Sequence, residues 1–191
     1  MTEGALQRGV KLGVDVGTVR VGVACCDPDG ILATPVRTLS RDAKKNSDIR
    51  VLLREVRERG AVAVYVGLPR TLKGTETASA QMARSYAELL VQALSAAELA
   101  VPVRLVDERL SSVTAHQQLH SAGVGSRDHR KIVDQVAAAG ILQHALDMEK
   151  SRSRPAGSLV RMPDATGHVE RQSTDKEDVI KAVNDERGPS L

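Results

Sequence analysis

The stretch Val10-Lys11-Leu12-Gly13-Val14-Asp15-Val16-Gly17-Thr18-Val19-Arg20-Val21-Gly22-Val23-Ala24-Cys25-Cys26 decides the fold. Two Val-rich runs, Val10 to Val16 and Val19 to Cys26, flank Gly17-Thr18, and short β-branched runs parted by a glycine-containing pair predict a tight antiparallel hairpin. Asp27-Pro28-Asp29-Gly30 is a turn, so Ile31 to Leu39 is expected to return as a third strand. Ile49, Leu52, Leu53 and Val56 recur at helical spacing opposite Arg50, Arg54, Glu55 and Arg57, which predicts an amphipathic helix over 43–59 that stops at Gly60. Ala61 to Gly67 is almost wholly apolar, the composition of a strand covered on both faces in a parallel sheet. An Ala-rich helix is expected from Thr77 to Leu99, and Val101 to Glu108 returns as another buried strand. Two further helices, about Ser112 to Ala122 and Lys131 to Met148, are joined by the polar linker Gly123 to Asp128. A three-stranded meander followed by alternating helices and strands predicts an α/β fold, a mixed sheet flanked by helices.

The chain has 191 residues, enough for one domain with a full core. It has two Tyr, no Phe and no Trp, so the core must be built from Val, Leu, Ile and Ala. Modules that bind single strands by stacking bases on aromatic platforms are excluded, as is an aromatic cage for a quaternary ammonium. The balance of 27 Lys+Arg against 24 Asp+Glu, a net +3, permits a nucleic-acid partner without demanding one. Composition turns polar after Lys150. Residues 1–150 are expected to form the domain, and 151–191 a disordered tail whose charges cancel. Cys25 and Cys26 are adjacent and form neither a disulfide framework nor a CxxC metal site, which points to a reducing compartment. No apolar leader precedes Val10 and no run of about 20 apolar residues occurs, so a cytoplasmic location is expected.

Three acidic residues sit on elements whose pattern predicts burial. Asp15 lies inside the first strand, where a lone buried carboxylate is costly. Taken alone, it is as well explained by hydrogen bonds to the turn backbone. Glu108 ends the fifth strand, at the edge where α/β sheets present functional groups, with Asp107 as the adjacent competitor. Asp134 shares a helix face with Ala138, Ile141 and Ala145, and the small residues Ala137 to Gly140 allow that helix close to the sheet. Rim or capping roles suffice for each acid singly and explain the three together poorly. Converging carboxylates bind cations, and oxygen-only ligation suits Mg²⁺ or Mn²⁺. Two such ions about 4 Å apart can activate a water and stabilise the leaving oxygen of a phosphodiester, with no covalent intermediate.

These segments also carry a resemblance. Asp15-Val16-Gly17-Thr18-Val19-Arg20-Val21-Gly22-Val23-Ala24, Val66-Gly67-Leu68-Pro69 with Gly74-Thr75, Asp107-Glu108-Arg109-Leu110-Ser111-Ser112 and Asp134-Gln135-Val136-Ala137-Ala138-Ala139-Gly140-Ile141-Leu142 resemble, in order over residues 10 to 148, the YqgF or RuvX family. Its members are RNase H-like nucleases described as Holliday junction resolvases and as nucleases maturing the precursor of small-subunit ribosomal RNA. The resemblance implies a five-stranded mixed sheet, and Asp15, Glu108 and Asp134 as catalytic metal ligands. It also implies that Arg109 lines the site, and Arg109 and Lys131 are the expected phosphate contacts. Branched DNA or pre-rRNA is the implied substrate, and cutting a symmetric junction implies a homodimer. Two rivals stand beside this. A phosphotransferase of the actin and sugar-kinase type shares the topology and the Asp-x-Gly-Thr hairpin but needs two such domains. A non-catalytic nucleic-acid-binding module would not need all three acids.

Overall fold

The computed structural model describes residues 6–69, 77–107 and 127–162, the last segment by its backbone alone as far as Lys131. The hairpin forms as expected: β1 (Lys11–Val16) and β2 (Arg20–Cys26) pair antiparallel with Asp15 opposite Gly22, and the Gly17 N–H donates to the Arg20 carbonyl at 2.8 Å to close the turn. The third strand, β3 (Ala33–Ser40), begins two residues later than the pattern suggests. The Asp27 carboxylate accepts the N–H groups of Asp29, Ile31 and Leu32 and keeps those residues in the turn. Helix α1 (Ser47–Arg59) likewise begins after the expected 43. Asp42 accepts from the Lys44 and Lys45 N–H groups and from the Ser47 hydroxyl, and Asn46 turns left-handed at φ 50°, so residues 43–46 make a turn instead.

Strand β4 (Ala63–Leu68), helix α2 (Ala78–Ala96), capped by the Thr77 hydroxyl, and β5 (Val103–Asp107) follow. Helix α3 (Arg127–Arg152) is longer at both ends than the expected 131–148. The helix expected at 112–122 lies outside the described residues. The strand order is β3-β2-β1-β4-β5-β6, antiparallel through the meander and parallel from β1 to β4 to β5. The sheet thus has six strands, one more than expected. The extra one, β6 (Ser158–Leu159), pairs antiparallel with β5 inside the segment whose composition suggested disorder. It is held by specific bonds: the Arg104 guanidinium donates to the carbonyls of Ala156 at 2.6 Å and Gly157 at 3.0 Å.

Strand alternation divides the core between the two faces. Leu12, Val14, Val16, Val64, Val66, Val103 and Leu105 pack with Leu52, Val56, Ala83 and Leu90 of α1 and α2. Ala24, Cys26, Ala63, Tyr65 and Val106 pack with Ala138, Ile141, Leu142, Ala145 and Leu146 of α3. Each buried Val, Leu or Ile side chain contributes roughly 1.5–3 kcal/mol by leaving water. The two tyrosines are both buried, Tyr65 under α3 and Tyr86 on the opposite face beneath the Arg41 guanidinium. Cys25 is half-buried and Cys26 buried, and both are free thiols. Among the described residues, no helix is long and apolar enough to cross a membrane.

Candidate active site

Lys11, Gly13 and Asp15 alternate with the apolar residues of β1 and face α3. That helix lies unusually close to the sheet because two facing positions lack a Cβ. A Cβ on Gly13 would stand 2.6 Å from the Ala138 carbonyl oxygen and 2.6 Å from the Leu142 Cβ. A Cβ on Gly22 would stand 2.0 Å from the Asp134 carbonyl oxygen, well inside van der Waals contact. Asp134 is therefore seated on Gly22, whose cross-strand neighbour is Asp15. The small residues expected on the helix, Ala137 to Gly140, are matched by glycines in the sheet.

Two of the three predicted acids are thus brought together. Burial pushes the Asp15 carboxyl up to about 6, and the negative charge of Asp134 pushes in the same direction. Arg20, two residues before Gly22 and so on the same face of β2, donates from Nε to Asp134 Oδ2. Among the described side chains, two carboxylates and one guanidinium leave a net negative charge in a partly dehydrated site, an arrangement that favours a cation. The donors are hard oxygens, which fits Mg²⁺ or Mn²⁺.

Glu108 and Arg109 lie outside the described residues, and of Lys131 the backbone alone is described, one turn before Asp134 in α3. Among the described residues, no three acidic, histidine or cysteine side chains form a metal-binding group. Asp107 closes β5 in phase with Val103 and Leu105, and burial drives the His144 imidazole of α3 below the usual histidine range. Sequence reasoning missed Arg20 and the seat at Gly22. Counting alternation back from Asp15 across the hairpin would have placed both on its face.

The family described as "RuvX: Holliday junction resolvase" matches residues 9–148. A "Putative pre-16S rRNA nuclease" of Frankia casuarinae is 45% identical over 182 residues, covering 93% of this chain and 88% of its own. Proteins of the same name from Kineococcus radiotolerans and Mycobacteroides abscessus are 48% and 51% identical, covering 83% and 75% of this chain and 81% and 84% of theirs. Among solved structures, "T. thermophilus RuvC in complex with Holliday junction substrate" superposes with a TM-score of 0.47 at 17% identity, covering 77% of this chain and 99% of that one. With its motifs in order and most of its length matched, the chain belongs to the RuvX family.

Proposed function

We infer that the protein is a divalent-metal-dependent endonuclease acting on structured nucleic acid, with Asp15, Glu108 and Asp134 as its metal ligands. The observation that carries this reading is the packing of Asp134 onto Gly22 beside Asp15, which holds two carboxylates together at an energetic cost. A bound ion would activate water and neutralise charge on the phosphodiester. The chain's own residues hold the oxygen donors in place. Arg104 and Val106 face α3, and the same two-residue period favours Glu108 over Asp107 as the strand-end ligand. Arg109 and Lys131 are assigned to substrate phosphates. Both tyrosines are buried, so substrate is held through phosphates, metal and shape, with little dependence on base identity.

The name shared by the close relatives favours the precursor of small-subunit ribosomal RNA as substrate. The family description supports a four-way DNA junction as the second reading, and cutting two symmetric strands would require a homodimer. Purified protein on labelled structured RNA, a four-way junction and linear duplex, with Mg²⁺ or Mn²⁺, decides between them. Paired symmetric nicks confined to the junction support resolution, and cleavage confined to RNA supports processing. Asp15→Asn should reduce cleavage to background while leaving the fold intact. Undiminished cleavage by that variant overturns the assignment, and nucleotide hydrolysis without strand cleavage would favour the phosphotransferase reading.

A further inference from the structure

Arg20 has no part in the set of metal ligands, yet among the described residues it is the cation paired with the candidate ligand Asp134. It opens β2 immediately after the hairpin, and its side chain is about one-third exposed, at 32%, against 22% for Asp134. Buried carboxylates that serve the fold have both oxygens engaged: Arg41 Nη1 reaches both oxygens of Asp48, and Arg37 and Arg59 each take one oxygen of Glu55. Arg20 instead engages one oxygen of Asp134 through Nε, and among the described residues its terminal nitrogens have no other acceptor, so their four donors can serve a further one.

We propose that Arg20 is a substrate-binding residue held in reserve: it occupies Asp134 in the metal-free protein, yields that carboxylate to the divalent ion, and then pairs with a nucleic-acid phosphate beside the scissile bond. This rests on the metal-site reading above. A divalent ion and the guanidinium are alternative partners for Asp134 Oδ2, and the ion brings twice the charge. Once displaced, the partly exposed Arg20 would be free to pair with a phosphate held near the ion, and an arginine fork matches phosphate geometry. Metal and nucleic acid then bind cooperatively. By linkage, the factor by which metal tightens nucleic-acid binding equals that by which nucleic acid tightens metal binding.

Calorimetric titration of the full chain with Mn²⁺, without nucleic acid, is the first test. Arg20→Met removes the competitor and should tighten Mn²⁺ binding about fivefold, the scale of a partly exposed, charge-assisted pair. In the second test, a labelled RNA hairpin and a four-way junction are titrated in Ca²⁺ and in EDTA. The wild-type protein should bind more tightly with Ca²⁺, and Arg20→Met should lose most of that gain while its weak binding in EDTA is unchanged. Equal or weaker Mn²⁺ affinity in Arg20→Met, or an undiminished gain with Ca²⁺, overturns the proposal. Asp134→Asn separates it from its foundation: Mn²⁺ binding that survives this change refutes the metal site itself. Should Arg20→Met not fold, the side-chain Nε–H resonance of Arg20 in the wild-type protein gives the same answer. It should leave its ion-paired position as Mg²⁺ is added, and a resonance that stays in place overturns the proposal.

Discussion

Helix α3 meets strand β1 at both ends of one seam, and the two ends are built to opposite rules. At one end Lys11 Nζ donates to Glu149 Oε2 at 2.6 Å, the Tyr65 hydroxyl donates to Glu149 Oε1, and Arg104 bonds two backbone carbonyls nearby. Lys11, Glu149, Tyr65 and Arg104 are all buried. The carboxylate has a cation on one oxygen and a phenol on the other, and Tyr65 is held well above the usual phenol range by burial and by Glu149. At the other end, about 22 Å along the helix, the charge of Asp134 bears on Asp15, and Arg20 pairs with Asp134. The polar groups around Glu149 are enclosed and paired with one another. Those described at the candidate site are half-open and carry excess negative charge. Residue type alone does not separate the two ends, since each joins strand to helix with an acid and a base; completeness of pairing does.

The comparison is broken most severely at the saturated end. Glu149→Ala leaves a buried ammonium and a buried phenol without their acceptor, and should cost about 3–5 kcal/mol in urea unfolding. Cleavage per folded molecule should be unchanged, because the site lies at the far end of α3. A loss of cleavage out of proportion to the unfolded fraction would show that the two ends are coupled. Next in size is Gly22→Ala. Its methyl group would meet the backbone of Asp134, which no rotamer change relieves, so the helix must shift. We expect a loss of about 3 kcal/mol together with loss of cleavage, since the shifted residue is the candidate ligand. Retained cleavage in a destabilised Gly22→Ala protein would show that the seat serves packing alone.

What was legible in the sequence follows from the same contrast. The hairpin and the strands after it announce themselves through β-branched runs and turn residues. Asp15 and Asp134 stand out because a carboxylate on an apolar face contradicts its surroundings. Arg20 contradicts nothing: an arginine beside a turn is ordinary, and its partner lies 114 residues away. Gly22 reads as a weak strand residue until the helix backbone above it is seen. The starts of β3 and α1 were misjudged because Asp27 and Asp42 capture backbone N–H groups that the apolar pattern assigns to regular structure. Strand β6 was missed because two residues carry no periodicity, and the bonds that hold it come from Arg104, far away in sequence.

The smallest effect separates the two ends by sign. Removing a carboxylate from the saturated end costs stability, whereas Asp15→Asn should raise the stability of the metal-free protein. The folded-state value for Asp15, about 6, lies above its ordinary 3.8. Between those values the folded protein keeps a proton that the unfolded chain releases, so this group's contribution is fully present below about pH 4 and is lost as pH rises through 6. Asparagine, always neutral, escapes that loss. Screening at a partly exposed site reduces the gain to about 1 kcal/mol at pH 7.5. Comparing the variant with wild type at each pH cancels the carboxylates that titrate elsewhere, including Asp42, which is held at about 2 by its hydrogen bonds. In EDTA the variant's melting temperature should match wild type near pH 4 and exceed it by a few degrees above pH 7. Saturating Mg²⁺ should reverse the order, because wild type gains the binding energy of the ion and the variant does not. A variant less stable than wild type in EDTA at pH 7.5 would place Asp15 with the saturated groups of the opposite end, as a structural acid of the hairpin.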